Sequence, residues 1–509
     1  MGKKMKTVLS FRLTCALKWF LPFYLFTFLP LSAKAQQRIY CDREARQNAN
    51  EHHAMTRGAV YNSSVSSLFG SYHVPVVLAA FQDVPFTTPD VEKEWDAMLN
   101  EPGFSKHGAA GCLSDYFKIQ SGGKFNLTFD VLGPVTLPDP VKYYGENRSG
   151  LQGEDMRPHE MIWKACLATE KDFSPYDWDG DGVVDVVMVI FAGHGENRGG
   201  IPDYIWPHKF NIYGNKKVGE LSLYSYACVS ELGKTEAIDG YGTFIHEFSH
   251  CLGLPDLYPI SSDAYSFFDE WDLMDGGNYA NNSWSPPHYS AFERQRCGWM
   301  NPIELSSSTT ISGLPPFDQE AVAYIIRNDN DANEYYLLEN RQQRGWDTYV
   351  PGNGLLITHV RHYDGTLEPN TSTRAQVELV YADNRSYRES EAFFGTNNKY
   401  TEDGHNRYLS LASYPYIVGE SVNDQLTYSS TPAMKFDGKP ISNIRMSDDG
   451  TISFDFMQPT AIQDVSVSGN NAQPAEWYDL KGCRLPVQPS VPGIYIIRYH
   501  NGKTIKIIL

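Results

Sequence analysis

Cysteine is scarce in this sequence and is spread too thinly to define a disulfide framework. Eight cysteines occur in 509 residues, and one of them, Cys15, lies in an N-terminal segment that we expect to be removed. The seven that remain are odd in number and widely separated. One or two disulfides are compatible with an exported protein, but the sequence does not determine their pairing.

Positive charge is also in deficit. Lys and Arg together number 43 against 61 Asp and Glu, which gives a formal net charge of −18. An acidic surface of this size disfavours nucleic acid and anionic membranes as partners. It favours solubility and divalent cations, although a solvated surface with no partner is the simpler explanation.

Apolar runs long enough to span a membrane are absent beyond the N-terminus. Three lysines among the first six residues precede an uncharged apolar run at 19–31, and Ala33 and Ala35 give a small-x-small cleavage pattern. These features predict a secretory signal peptide at 1–35. A retained anchor is the alternative, but the run is shorter than the roughly 20 residues that a spanning helix needs.

A string of eleven residues that begins at His246 carries the main functional signal. It reads H-E-x-x-H-x-x-G-x-x-D. On a helix, His246 and His250 lie one turn apart at about 5–6 Å, which suits two ligands of one Zn²⁺. Glu247 is then placed to act as general base on the metal's water, and Gly253 lets the chain turn so that Asp256 supplies a third ligand. The alternative, a core helix with two packed histidines, leaves the Gly and Asp at these spacings unexplained.

A second signal follows 18 residues after Asp256, where WDLMDGG at 271–277 forms a tight turn around Met274. Metzincin peptidases place a methionine in such a turn beneath the zinc. Taken alone, Met274 is more often a core residue. Tyr279 is a candidate hydrogen-bond donor to the oxyanion, although its spacing from Met274 differs from the common metzincin one. His208 is a candidate for lining the cleft, a packed histidine being the usual alternative.

A separate metal site is predicted in DWDGDGVVD at 177–185. Positions 1, 3, 5 and 9 of a calcium loop are occupied by Asp177, Asp179, Asp181 and Asp185. Their oxygens suit Ca²⁺, and the glycine at position 6 permits the sharp turn. The Glu expected at position 12 is missing, so a ligand would come from elsewhere. A solvated acidic turn is the alternative, although four converging carboxylates repel one another without a cation.

These motifs together resemble the immune inhibitor A family of secreted metallopeptidases. The resemblance covers about residues 70–460 and implies zinc endopeptidase activity, with His246, His250 and Asp256 as zinc ligands and Glu247 as base. Protein or peptide substrates are implied as partners. The segments that carry it are YDWDGDGVVDVVMVIFAGHGENRGG (176–200), IWPH (205–208), GTFIHEFSHCLGLPDLY (242–258), WDLMDGG (271–277), PPHYSAFERQRCGWM (286–300) and YYLLENRQQRGWDTYVPGNGLLITHV (335–360).

The C-terminal tail resembles a different kind of module. WYDLKGCRL, PGIYIIR and NGKTIKIIL are similar to the sorting domain of type IX secretion cargo in Bacteroidetes. The resemblance implies contact with the secretion machinery. Asn501-Gly502 is a hairpin signal, so a plain hairpin that completes the preceding sheet is the alternative.

Periodicity predicts an α+β chain. We expect strands at 72–81, 125–134 and 183–191, and helices at 91–99 and 241–252. The resemblance implies a metzincin-like catalytic domain with a twisted mixed sheet, a zinc helix and a Met-turn, followed by a β-rich domain and a small β module. The predicted segments are 1–35 (signal peptide), 36–70 (propeptide or N-terminal extension), 71–300 (metallopeptidase domain), 301–457 (β-rich domain), 458–475 (linker) and 476–509 (sorting-like module).

The sequence therefore predicts a secreted zinc endopeptidase with a structural Ca²⁺. Cys41 raises the possibility of a latent precursor in which its thiolate caps the zinc, but a lone cysteine near a terminus is usually incidental. Two alternatives remain: an inactive cell-surface adhesin that binds zinc, and a calcium-stabilised scaffold without zinc.

Overall fold

The structure is a computed structural model. It describes residues 64–148, 153, 155–198, 203–258, 266–363, 370, 375–384, 409–458, 474–479, 482–489, 491, 494–499 and 504–508. The predicted signal peptide, Cys41, most of the predicted N-terminal extension, most of the predicted linker and the Asn501-Gly502 turn lie outside the described residues. No helix in the described ranges combines the length and apolarity that a bilayer span requires.

Helices are few and short, whereas strands recur along the chain, so the predicted α+β class is confirmed. The helices are α1 (Val91–Asn100), α2 (Leu113–Gln120), α3 (Val141–Gly145), α4 (Pro158–Ala168), α5 (Gly242–Cys251) and α6 (Ala291–Arg296). The strands are β1 (Gly70–Ala80), β2 (Phe125–Thr136), β3 (Val183–Val184), β4 (Val187–His194), β5 (His208–Asn211), β6 (Lys217–Val218), β7 (Leu221–Leu223), β8 (Ser225–Leu232), β9 (Ile303–Glu304), β10 (Thr309–Leu314), β11 (Ala323–Asn328), β12 (Asp331–Arg341), β13 (Gly354–Arg361), β14 (Val377–Leu379), β15 (Tyr416–Val418), β16 (Ser421–Asn423), β17 (Ile441–Met446), β18 (Ile452–Phe456), β19 (Pro474–Tyr478), β20 (Arg484–Leu485), β21 (Ile494–Tyr499) and β22 (Thr504–Ile508).

The N-terminal sheet has the strand order β2-β1-β4-β8-β5. Its first four strands are parallel, and the edge strand β5 runs antiparallel to β8. Successive residues of a strand point to opposite faces. Val76 and Leu78 of β1 therefore enter one apolar cluster, while Val77 and Ala79 enter another. A strand buried on both faces needs a nearly continuous apolar run, which β1 supplies.

Helices cover both faces of this sheet. Phe244 and Phe248 of α5 and Trp95 of α1 join the cluster that contains Val76. Met161 of α4 joins the cluster on the other face. The sheet is therefore the middle layer of this half of the molecule, and α5 is buried against one of its two faces.

The β-rich half is continuous with the first core. Its largest sheet has the order β14-β13-β12-β11-β9, and β10-β18-β17 form a three-stranded sheet. Ile325 and Leu337 belong to the cluster that contains α5. Their neighbours Ile326 and Leu338 belong to a separate cluster with Phe454 of β18. The predicted boundary near residue 300 is thus crossed by one apolar core, and the domain limits stay predictions.

The prediction of one continuous strand at 183–191 is wrong, because the chain passes from one sheet to another at Asp185. β3 pairs with β7 in a small separate sheet, and β4 begins three residues later in the main sheet. The Asp185 carboxylate accepts hydrogen bonds from the backbone N–H of Ser66 at 2.6 Å and of Trp178 at 2.7 Å. These two hydrogen bonds hold Asp185 in the connection between β3 and β4.

The N-terminal strap, residues 64–69, is bonded into this half of the molecule. Ser64 N donates to the carbonyl of Cys251, at the end of α5, over 2.8 Å. Trp299 Nε1 donates to the carbonyl of Leu68 over 2.9 Å. Val65 is 5% exposed and joins the same core as α5. The strap is therefore part of the folded body.

A buried ion pair network also connects the two halves. The Arg341 guanidinium, on β12, donates to both oxygens of Asp347 at 2.6 and 2.7 Å and to Glu339 at 3.0 Å. Glu339 in turn accepts from the backbone N–H of Ala291, and Asp347 from that of His288. The charge of Arg341 therefore holds the start of α6 through two carboxylates.

Arg341→Met should lower the free energy of unfolding by about 3–5 kcal/mol, because it leaves two buried carboxylates uncompensated. Urea unfolding measures the loss. Lys142→Met is the matched control: it removes an exposed pair with Asp203, and we expect a midpoint close to that of the parent chain. Equal losses in the two variants would show that the Arg341 network has no special importance.

Candidate metal centre

The candidate ligands lie on α5, every residue of which is buried. His246 and His250 are one helical turn apart and face the same side. Their ring centroids are 4.8 Å apart and their planes are nearly perpendicular, at 87°. Two imidazoles therefore converge within the core.

The chain turns back after α5 and brings Asp256 to the two histidines. Gly253 adopts a left-handed φ of 88°, which glycine accepts without a steric penalty. Its N–H donates to the carbonyl of His250 over 3.0 Å and closes the helix. Asp256 Oδ1 then lies 3.2 Å from His246 Nε2 and 3.4 Å from His250 Nε2.

Backbone carbonyls orient both rings. His246 Nδ1 is 3.0 Å from the carbonyl oxygen of Leu273, and His250 Nδ1 is 2.8 Å from that of Leu254. Because a carbonyl only accepts, each Nδ1 donates a hydrogen to its carbonyl, and the Nε2 of each ring faces Asp256. Nε2 is therefore the ring nitrogen that is available to a metal.

The chemistry of these atoms fits a zinc ion. One ligand atom from each residue lies within 4.8 Å of the other two. His246 Nε2 and both Asp256 oxygens are buried and make no well-aligned hydrogen bond to any residue in the described ranges. Buried polar atoms without partners are costly, and two nitrogens with one carboxylate oxygen form a zinc ligand set. A cation would satisfy all of them together.

Asp256 is held in its ionised form. Burial acts to raise the pKa of this carboxyl, but the nearby His250 and His246 lower it more strongly, and the net pKa lies well below the ordinary value. An ionised carboxylate is the form that binds a metal. Glu247, the residue after His246, is also wholly buried on α5.

The turn around Met274 is bonded to both sides of the ligand group. Leu273 contributes the carbonyl that orients His246, and the carbonyl of Met274 accepts from Leu257 N over 2.8 Å, next to Asp256. Met274 N donates to Asp272 Oδ1 over 2.8 Å, and the Met274 side chain is fully buried. The turn therefore supports the two ligands that come from different segments.

Tyr279 lies in a cleft at the N-terminal end of α5. The cleft has a volume of about 640 Å³ and lies between the segment before α5 and the segment after the Met274 turn. The Arg198 guanidinium stacks on the Tyr279 ring at 4.9 Å, and it also donates to Asp239 and to Ser283 Oγ. Tyr279 is thus placed at the cleft by a buried arginine.

His208 does not join the ligand group. Its Nδ1 is 2.6 Å from the carbonyl oxygen of Trp206, and its Nε2 is 2.8 Å from the hydroxyl of Tyr226. This histidine is packed and hydrogen-bonded in the main sheet, which is the alternative that the sequence left open.

Three of the four predicted calcium ligands are grouped. One oxygen from each of Asp177, Asp179 and Asp181 lies within 4.8 Å of the others. Asp177 also accepts from the backbone N–H of Gly180 and Gly182 at 2.9 and 3.0 Å, which folds the loop around it. The fourth predicted ligand, Asp185, is not in the group, because it holds the strap and Trp178 N instead.

Sequence reasoning missed the buried pair of Arg198 and Asp239 beside the cleft. Their side chains are 5% and 8% exposed and lie 2.5 Å apart. No local pattern marks them, because they are 41 residues apart in the sequence. The signal that the sequence offered was an acidic residue, Asp239, three residues before the start of α5.

Comparison with known proteins is consistent with this geometry. Residues 90–300 match the family described as "Immune inhibitor A peptidase M6, catalytic domain". The chain is 27% identical over 246 residues to "Immune inhibitor A" of Bacillus thuringiensis subsp. alesti, which is 40% of this chain and 35% of the relative. It is 26% identical over 294 residues to "Pre-pro-metalloprotease PrtV" of Vibrio cholerae serotype O1 (strain M66-2), which is 46% of this chain and 31% of that relative.

The similarity supports a peptidase, and one of the two relatives is named a metalloprotease. The chain spans about a third of the length of these curated relatives. The family match includes α5, the Met274 turn and α6, so the candidate ligands lie within the matched segment.

Gly253→Ala should lower the free energy of unfolding by about 1–2 kcal/mol, because a side chain is strained at this φ. It should also reduce the rise in unfolding midpoint that added zinc produces, since Asp256 follows three residues later. Gly214→Ala is the control, with a φ of 87° in open surroundings. A zinc effect unchanged in Gly253→Ala would mean that the turn does not place Asp256.

Proposed function

We propose that the chain is a secreted zinc-dependent endopeptidase. The observation that carries the proposal is the buried group of His246, His250 and Asp256 inside the segment that matches a peptidase catalytic domain. Two histidines one helical turn apart, an adjacent glutamate and a third oxygen ligand are the arrangement of a catalytic zinc site with an open position. Under this proposal the fold around α5 and Met274 is metzincin-like.

A zinc ion held by these three residues would supply Lewis acidity, polarising a substrate carbonyl and making water a better nucleophile at neutral pH. The protein's own contribution is the fixed direction of the ligands. Leu273 and Leu254 hold the two rings through their carbonyls, so little reorganisation is needed when substrate enters.

Glu247 acts as general base in this proposal. Its carboxylate accepts a proton from the attacking water and returns a proton to the leaving amine. The buried position of Glu247 places this transfer away from bulk solvent, where electrostatic interactions with the reacting atoms are stronger.

The cleft at the N-terminal end of α5 receives the polypeptide substrate. Trp284 and Tyr279 supply ring surfaces in it, and Arg198 and Asp239 compensate each other's charge. Tyr279 is held by its contact with Arg198, and it is the proposed donor to the oxyanion as the carbonyl carbon becomes tetrahedral.

Two further parts of the proposal concern export and calcium. We infer that a signal peptide at 1–35 directs secretion and that residues 476–509 contact the secretion machinery. The Asp177–Asp181 group would bind a structural Ca²⁺, because clustered carboxylates are stabilised by a hard cation.

Glu247→Gln should reduce casein hydrolysis by about 10²–10⁴-fold, the usual contribution of a general base, while zinc content stays unchanged. Glu92→Gln, an exposed position in the first turn of α1, should keep full activity. Full activity in the Glu247 variant would remove this residue from the mechanism. A parent chain that binds zinc without any chelator-sensitive hydrolysis would favour the inactive adhesin instead.

Two substitutions should separate the two metals. Asp256→Ala should reduce bound zinc from about one ion per chain to near none and leave calcium binding intact. Asp181→Ala should weaken calcium binding by at least about tenfold and leave zinc in place. Elemental analysis and calcium titration of both purified variants provide the measurement. Loss of both metals in either variant would contradict two independent sites, and absence of zinc from the parent would favour the calcium-stabilised scaffold.

A further inference from the structure

We propose that Asn370, in the β-rich half, is a positioning residue for Asp256, the third candidate zinc ligand. Asn370 is 2% exposed. Its side-chain nitrogen Nδ2 donates to the carbonyl of Leu257 over 2.9 Å and to that of Val377 over 2.8 Å. Leu257 ends the ligand loop, residues 252–257, which leads from α5 to Asp256, whereas Val377 begins β14. One side chain therefore joins the ligand loop to a strand of the other half.

The hydrogen bonds of Asn370 use the full capacity of its side-chain amide. Its Oδ1 accepts from the backbone N–H of Gln376 at 2.8 Å and of Val377 at 3.1 Å. A side-chain amide has two N–H donors and an oxygen with two lone pairs, and all of them have partners here. Turning the amide over would place its oxygen against two carbonyls, so these partners determine its orientation.

Asp256 differs from the other two candidate ligands in how its direction is set. Backbone carbonyls bind the Nδ1 atoms of His246 and His250 and orient both rings. The Asp256 carboxylate contacts these two histidines but has no hydrogen-bond partner within the described ranges. Partners outside the ligand set normally fix the direction of a metal ligand. For Asp256 this task falls to the backbone on either side of it.

Both backbone groups of Leu257, the residue after Asp256, are hydrogen-bonded. The N–H of Leu257 donates to the carbonyl of Met274 over 2.8 Å, and its carbonyl accepts from Asn370. Because peptide groups are planar, the backbone has only two soft torsions per residue. Holding the peptide groups on both sides of Leu257 therefore restricts the backbone at Asp256. Without Asn370, only the bond to Met274 remains.

The strand that holds Asn370 is itself anchored in the larger sheet. β14 pairs with β13 through the backbone. Side chains add a second connection: Glu378 Oε1 on β14 lies 3.2 Å from His359 Nδ1 on β13, and His359 Nε2 lies 2.9 Å from Glu334 Oε1 on β12. Asn370 therefore connects the ligand loop to a strand that is bonded to its neighbours through backbone and side chains.

The β-rich half thereby contributes to the candidate metal site without supplying a ligand. This role rests on the proposed function, because it requires that Asp256 binds zinc. Without the Asn370 amide, His246 and His250 would keep their carbonyl partners, whereas Asp256 would lose one constraint on its backbone. The expected result is weaker zinc binding, through a poorly placed third ligand, in a protein that still folds.

Asn370→Ala tests this role, because alanine cannot donate to the Leu257 carbonyl. The zinc dissociation constant of the full chain, measured by competition with a chromogenic chelator, should increase by about tenfold or more, as is usual when a partner outside the ligand set is lost. With Co²⁺ in place of zinc, the visible absorption spectrum should differ from that of the parent, because the third ligand is displaced. Asn370→Ser serves as the second variant if the first does not fold.

Asn340→Ala is the matched control. Asn340 is buried in the same half, and its Nδ2 donates to the carbonyls of Leu314 and Gly450 at 2.9 and 2.8 Å, neither of which is in the ligand loop. This variant should lose stability to urea but keep the zinc constant and the Co²⁺ spectrum of the parent.

The outcomes separate this role from the proposed function. A zinc constant that is unchanged in Asn370→Ala, or equally weakened in Asn340→Ala, would overturn the positioning role and leave the peptidase standing. A parent that binds zinc but hydrolyses no protein would overturn the proposed function and leave the role of Asn370 standing. A parent that binds no zinc would overturn both.

Discussion

The contact between His246 Nδ1 and the carbonyl of Leu273 is the interaction on which the candidate site depends. It joins α5 to a turn 27 residues further along the chain. By fixing which ring nitrogen carries hydrogen, it directs the other nitrogen to the carboxylate of Asp256. The next carbonyl in the same turn, that of Met274, binds Leu257 N beside Asp256. One short turn therefore sets the direction of ligands from two segments.

Helix spacing accounts for the part of the site that sequence alone can describe. His246, His250 and Asp256 are all within eleven residues, so local geometry determines their grouping. Asp185 shows the limit of such patterns: its spacing suits a calcium loop, but a backbone N–H 119 residues away binds its carboxylate. The α+β class follows from periodicity, whereas the order β2-β1-β4-β8-β5 depends on pairing between distant parallel strands, which no local signal specifies.

The two halves of the molecule depend on each other. The apolar core around α5 continues into strands β11 and β12, and the Arg341 network ties β12 to the start of α6. Glu293 in the first turn of α6 also caps that helix through Ser290. The β-rich half thereby fixes the start of α6, whose Ala291 and Phe292 lie in the same apolar core as α5.

The bonded strap limits how far a protease could trim the N-terminal side of the chain. A cut upstream of Ser64 would leave the hydrogen bonds to Cys251 and Asp185 intact, and the new chain end would start beside the last turn of α5. Trimming past Ser66 would instead remove Val65 from the core and take away one of the donors to the carboxylate of Asp185. The folded body itself thus sets the furthest point that a processing protease can reach without loosening the helix that bears the two histidines.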